Sequence, residues 1–280
     1  MLLKNTRIHF TLWFMIATAV VTGYFYELLM ILVIIFIHEI GHILFAHFFS
    51  WRIRKVTFLP FGGMVETEEF GNKPMKEEFF VTIGGPLQHL LLWGGSSILY
   101  SLSFISENTF AIFNHYNLVI LLFNLLPIWP LDGGKLLYLF FSMKHPFMNA
   151  YKWTLFVSLY SLILFIFILL YVSPLQLNGW IIIIYLLLSI IKDWRQRNFI
   201  FMRFLLNRYY QHEHFSSIVP IYLDSQQTVL DALSQFRRDC QHIIKVMNKG
   251  KVKGTIEEQY LLDSFFRSNA ISQPISHFLS

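Results

Sequence analysis

Apolar residues run in blocks along the first two-thirds of this chain instead of alternating with polar ones. The blocks cover residues 8–26, 28–49, 79–105, 111–126, 153–172 and 177–191. Several approach the roughly 20 residues that carry an α-helix across the hydrocarbon core of a bilayer. The first two meet tightly around Tyr26 and Glu27, which predicts a helical hairpin. The fourth is short for a full span and ends in a proline-rich break. One large soluble core would also demand apolar residues, but it would not demand blocks of this length. The first block runs straight on into the second, so it is expected to stay as a membrane helix rather than serve as a cleaved leader.

Beyond residue 192 the pattern changes, and charges become frequent. Residues 193–210 carry Arg195, Arg197, Arg203 and Arg208 at helical spacing, which predicts a basic amphipathic helix within a linker at 193–215. Residues 216–280 read as a small α/β unit. Strands are expected at 219–222, 242–247 and 251–255, and helices at 228–238 and 257–266. This order is similar to one cystathionine-β-synthase-type (CBS) module. The resemblance implies ATP as a regulatory ligand and pairing between chains, that is, a homo-oligomer. A plain substrate-docking domain is the alternative. No recognition fold accompanies the basic helix, so no direct nucleic-acid partner is expected.

Composition strengthens the membrane reading. The chain is 55% hydrophobic and 14% charged, whereas soluble domains carry about 25% charged residues. Its mean hydropathy is +0.51. The tryptophans at 13, 51, 153, 180 and 194 suit interfacial belts. Cys240 is the sole cysteine, which excludes an internal disulfide.

Charge placement orients the blocks. Lys4 and Arg7 precede the first, and Arg52, Arg54 and Lys55 follow the second. Lys135, Lys144 and Lys152 lie between the fourth and fifth, and Lys192, Arg195 and Arg197 follow the sixth. The opposite connections carry Glu27 and Glu107 but no Lys or Arg. This alternation predicts six spans with both termini cytoplasmic. Between the second and third blocks, residues 56–65 mix β-formers with Pro60, Gly62 and Gly63, suiting a short hairpin or a surface loop. Glu66, Glu68, Glu69, Glu77 and Glu78 beside Lys73 and Lys76 read as a solvated surface, with substrate docking as the sharper alternative.

Chemistry enters with His38-Glu39-Ile40-Gly41-His42, inside the second block. Two histidines four apart share one helical face and can reach one zinc ion. The glutamate between them suits a general base toward an activated water. A carboxylate at membrane depth costs at least about 2.5 kcal/mol on insertion scales, so Glu39 should face a polar cavity. Catalytic zinc uses three protein ligands. Asp132 is the candidate third, in the run Asn124 to Gly134 (NLLPIWPLDGG). Pro127 and Pro130 interrupt helical hydrogen bonding there, and Gly133 and Gly134 permit backbone conformations closed to other residues. Asn124 suits either contact with the substrate backbone or local capping. His47, Gln88 and His89 are read as structural or cavity-lining groups, not ligands.

HEIGH at 38–42, GGP at 84–86 and NLLPIWPLDGG at 124–134 together resemble the site-2 protease family of intramembrane zinc metallopeptidases. The resemblance covers about residues 28–134. It implies zinc held by His38, His42 and Asp132, Glu39 as catalytic base, and Asn124 and Pro127 in a substrate-handling loop. SWRIRKVTFLPFGG, GNKPMKEEF and GGPLQH are similar to the family's sporulation branch. That branch implies cleavage of a membrane-associated sigma factor precursor, pro-sigma-K, in the mother-cell membrane around the forespore. It also implies inhibitory membrane protein partners. The expected fold is therefore mainly α, a six-helix transmembrane metalloprotease domain at 1–192 in the lipid bilayer with a small cytoplasmic α/β CBS-like domain. A membrane transporter with a buried ion site would also place His, Glu and Asp in the bilayer, and so would a catalytically inactive scaffold. Neither predicts HExxH spacing followed by a proline-flanked LDGG.

Overall fold

In the computed structural model of the chain the described residues are 6–8, 20–51, 53–59, 62–67, 73–210, 217–268 and 273–278. They divide into two compact units. The first contains residues 1–136 and 158–187, and the second contains 137–157 and 188–280.

The first unit is built on α1 (Phe25–Phe48), α2 (Met75–Ser101) and α3 (Glu107–Asn124). α1 packs along α2, and α3 closes against both. Ser106 caps α3, its hydroxyl accepting the Thr109 amide at 3.2 Å. Pro86 lies inside α2 without ending it. The link from α1 to α2 holds β2 (Ile53–Leu59) and β3 (Gly62–Thr67), an antiparallel hairpin, as one of the two sequence readings expected. β1 (Thr6–Ile8) adds to β2 in parallel. α4 (Asp132–Ser142), α5 (Phe147–Val172) and α6 (Leu177–Tyr210) follow in the chain.

Two boundaries differ from the sequence reading. α4 was hidden in a stretch expected to be a loop. The basic segment at 193–210 is no separate linker helix. It continues the sixth apolar block as α6, 34 residues long. No proline or glycine interrupts that junction, and polarity alone does not stop a helix.

Among the described residues three helices are long and apolar enough to cross a membrane, namely α1, α5 and α6. That is fewer than the six expected. The expected segment 8–26 lies mostly outside the described residues. α2 and α3 take up the third and fourth blocks but dilute them with Glu77, Glu78, His89, Asn114 and Asn117. The chain is a mainly helical, multi-pass membrane protein.

The second unit carries β4 (Ile218–Asp224), α7 (Val229–Ser234), β5 (Gln241–Asn248), β6 (Lys251–Glu257) and α8 (Glu258–Arg267). β4 pairs with β5 in parallel, and β5 with β6 antiparallel. Ile221, Leu223, Ile244 and Val246 are buried, alternating with more exposed neighbours, as a sheet covered on one face requires. α7 is shorter than the helix expected at 228–238. It begins with a capping box, Thr228 and Asp231 satisfying each other's backbone amides.

Candidate metal centre

His38, Glu39 and His42 lie on the buried side of α1, 3%, 4% and 7% exposed. Their ligand atoms all fall within 4.8 Å of one another. Spacing of four on a helix brings the two imidazoles together, and the His38 Nε2 to His42 Nε2 distance is 3.1 Å. Asp132, the first residue of α4, comes to the same point from 94 residues away. Its Oδ2 stands 3.1 Å from each of those nitrogens. Three ligand atoms of a tetrahedral zinc ion lie about 3.3 Å apart, from zinc–nitrogen and zinc–oxygen bonds of about 2.0–2.1 Å. The observed triangle has that size.

Hydrogen bonding adds a second test. His42 Nδ1 is 2.7 Å from the Val81 carbonyl, which can only accept. Nδ1 therefore carries the hydrogen of the neutral ring, and the Nε2 lone pair faces Asp132. A neutral His42 and the Asp132 carboxylate then offer lone pairs to the same point, where a bound cation would satisfy both. The donor set, two imidazoles and a carboxylate, suits zinc.

α2 forms the wall of this site. A methyl group added at Gly85 would come within 2.6 Å of His38 Nε2 and closer still to His42 Nε2. The adjoining Gly84 packs its backbone against Gly41 of the HEIGH motif. The GGP sequence is thus what allows two helices to meet at the metal ligands.

The loop at 125–131 delivers Asp132. The Trp129 amide donates to Ser158 Oγ at 2.9 Å, tying the loop to α5. Gly133 and Gly134 do not use the conformational freedom that glycine permits. Neither adopts positive φ. They are helical residues of α4 that admit the backbone of the preceding loop, since a methyl at Gly133 would collide with the Leu125 carbonyl. Lys135 donates to Asp132 Oδ1 at 3.0 Å, which leaves Oδ2 for the histidines. Sequence reasoning used Lys135 only as an orienting charge. Its place one turn into α4, directly after LDGG, was the available signal.

Of the remaining candidates, Asn124 donates from Nδ2 to the Ile120 carbonyl at 3.0 Å, the local bond weighed as an alternative. Pro127 is half-buried in the loop. His89 is not at the metal triangle, but its Nε2 is 3.0 Å from His38 Nδ1. Trp51 is buried, and its indole donates to Glu77 at 2.9 Å. Glu78 is buried as well. Glu78 is therefore not part of a solvated surface, while Glu77 is half-buried. The side chains of Glu66, Glu68 and Glu69 lie outside the described residues.

A buried His-Glu-xx-His cluster on an apolar helix, shaped for zinc, defines a membrane metallopeptidase. The family model "Peptidase family M50" matches residues 26–105 and 100–169. The chain belongs to this family and is an intramembrane zinc metalloprotease. It is 41% identical to Stage IV sporulation protein FB of Bacillus subtilis, over 99% of this chain and 97% of that protein. It is 28% identical to a zinc metalloprotease of Methanocaldococcus jannaschii, over 44% of this chain and 37% of the relative. Among solved structures, the site-2 protease from Methanocaldococcus jannaschii aligns with a TM-score of 0.53 at 22% identity, covering 67% of this chain and 89% of that one. That likeness supports the fold.

Proposed function

We propose that the chain removes a membrane-associated prosequence from a sigma factor precursor, pro-sigma-K, during sporulation. Identity of 41% over nearly the full length of a stage IV sporulation protein supports this reading. The single observation that carries the chemistry is the 3.1 Å triangle of His38, His42 and Asp132 beside Glu39. In this reading His38, His42 and Asp132 hold one zinc ion. Zinc, when bound, supplies Lewis-acid activation of water and of the scissile carbonyl. Glu39 takes the proton from the attacking water and returns it to the departing amine. Lys135 keeps the Asp132 carboxylate turned to the histidines. The half-buried loop at Asn124 and Pro127 receives the substrate backbone. Burial of all four groups excludes bulk water and strengthens each electrostatic contact.

The same reading places six spans in the mother-cell membrane around the forespore, with both termini and the connection that holds Gly133 cytoplasmic. The metalloprotease domain covers 1–192 and the tail 216–280, and residues 193–215, which begin as the continuation of α6, join them. The tail is a CBS-type regulatory or docking module, open to ATP and to pairing between chains, and membrane protein partners inhibit the enzyme. The strand order β4-β5-β6 with α7 and α8 is compatible with that module.

Reconstituting the purified protein with zinc and the precursor, and following product mass, tests the activity. Wild type should release one N-terminally trimmed product, and Glu39→Gln none. Absence of cleavage by the zinc-loaded wild type would overturn the substrate assignment. Thiol labelling from each side of sealed vesicles, on single-cysteine variants lacking Cys240, tests the topology. Far-side labelling near the C terminus would exclude the six-span arrangement.

A further inference from the structure

We infer that His89 and Asn117 are positioning residues, which together impose on His38 the tautomer that a metal requires. This rests on the reading of His38 as a zinc ligand. Both residues are buried, 1% and 5% exposed, on facing helices α2 and α3. Asn117 Nδ2 donates to the His89 carbonyl at 3.0 Å, which fixes which end of the amide is which. Asn117 Oδ1 then faces His89 Nδ1 at 2.7 Å and can only accept, so Nδ1 bears a hydrogen. Neutral His89 is left with a lone pair on Nε2. That lone pair faces His38 Nδ1 at 3.0 Å, so the His38 hydrogen sits on Nδ1. His38 Nε2 consequently turns its lone pair into the triangle.

Without this chain either nitrogen of His38 can hold the hydrogen. The tautomer with hydrogen on Nε2 cannot bind a metal through that atom. His42 has its tautomer set by a single carbonyl, Val81. His38 relies instead on a second histidine, which can itself take two tautomers, and a third residue is needed to choose between them. Asn117 does so without adding charge to an apolar helix bundle. A carboxylate there would carry a desolvation cost of several kcal/mol.

The test is zinc affinity of the purified full-length protein by chelator competition, with the visible spectrum of the cobalt(II)-substituted protein as a second readout. Removing an outer partner of a metal-bound histidine typically weakens metal binding by about 10–100-fold. His89→Leu should fall in that range and shift the cobalt spectrum. His89→Gln presents an amide oxygen near the place of Nε2 and should recover affinity to within about threefold of wild type. Leu and Gln are similar in size, so a pure packing role would weaken both equally, and that result would overturn the proposal. Asn117→Ala lies beyond contact with His38 and should weaken zinc through His89 alone. If His89→Leu does not fold, wild-type affinity in Asn117→Ala overturns the proposal by itself. His38→Ala, run alongside, must lose tight zinc binding. If it keeps it, the ligand reading fails, which is a different result from failure of the relay.

Discussion

Among the described residues two buried clusters contain histidine beside a carboxylate, and one of them is the reaction centre. In the second unit, Glu258 accepts from Arg208 Nε at 2.6 Å, from the His242 amide at 2.7 Å and from His242 Nδ1 at 3.0 Å. His242 Nε2 accepts the Arg237 amide at 3.1 Å. Arg208 also donates to the carbonyls of Arg237 and Cys240. Both Glu258 oxygens and His242 Nε2 meet donors there. At the metal centre, His42 Nε2 and Asp132 Oδ2 stand 3.1 Å apart, and the Val81 carbonyl holds the hydrogen of a neutral His42 on Nδ1, so both atoms can offer lone pairs to one ion. Burial and residue type are alike in the two places. Convergence of lone pairs on one point is what separates a metal site from a structural clasp.

The sharpest way to break this contrast is to fill the point of convergence. Gly85→Ala places a methyl against both imidazoles. Zinc content by metal analysis and precursor cleavage should both drop below detection, while Ala at the exposed Gly94, whose surroundings are open, should leave both intact. Retained zinc in Gly85→Ala would show that α2 does not wall the site.

Glu39→Gln separates chemistry from metal binding. Loss of a general base should slow cleavage by about 10²–10⁴-fold. Zinc content should match wild type in the same preparation. Turnover at the wild-type rate would remove Glu39 from the mechanism.

For the clasp the outcome reverses, with stability lost and zinc kept. Arg208→Met leaves Glu258 buried without its cation, and breaking such a pair costs about 3–5 kcal/mol. Cys240 is buried beside Arg208, so pulsed thiol labelling against urea reports the opening of this unit. Its midpoint should fall markedly, with metal content of the full chain unchanged. An unshifted midpoint would mean that the clasp contributes nothing.

The smallest effect is with pH. Burial holds the His242 imidazole below its ordinary value, and protonating Nε2 would break the Arg237 bond. Burial opposes ionisation of Glu258, yet the His242 hydrogen bond and the Arg208 charge together hold its carboxyl below the usual range. For both groups the unfolded chain binds protons more readily than the folded one. Stability of the unit is therefore full above about pH 6.5 and declines as pH falls, first through histidine and then through the carboxylate range. The urea midpoint should be lower at pH 5.5 than at pH 7.5, with the labelling pulse held at one pH. A rise on acidification would contradict the assigned protonation states.

Much of the reaction centre was legible without coordinates. The i, i+4 spacing of His38 and His42 is a property of the helix itself, and an apolar block of this length can hardly be anything else. Asp132 was legible because prolines flank it and end the preceding helix. The tail's strands were legible from alternation, as at Ile221 and Leu223. The six-span count was not legible in the same way, because blocks three and four mix in polar residues whose partners lie on other helices. Glu77 reads as a surface charge until Trp51 is seen to donate to it. The course of α6 through residues 193–210 was also misread, since a change from apolar to basic resembles a boundary when only composition is in view.

What the sequence by itself determined is therefore local and periodic: the helical blocks, the HEIGH face, the break before Asp132 and the alternation of the tail. Tertiary structure alone decided which small residues are walls and which polar residues are partners. Gly85 and Gly94 look alike in the chain, yet only Gly85 has the metal ligands where a side chain would be. His89 and Asn117 are 28 residues apart, and each would be an ordinary helical residue by itself. Their function depends on a hydrogen bond across two helices, and such a bond is set by the packing distance between backbones, a quantity no single stretch of sequence contains.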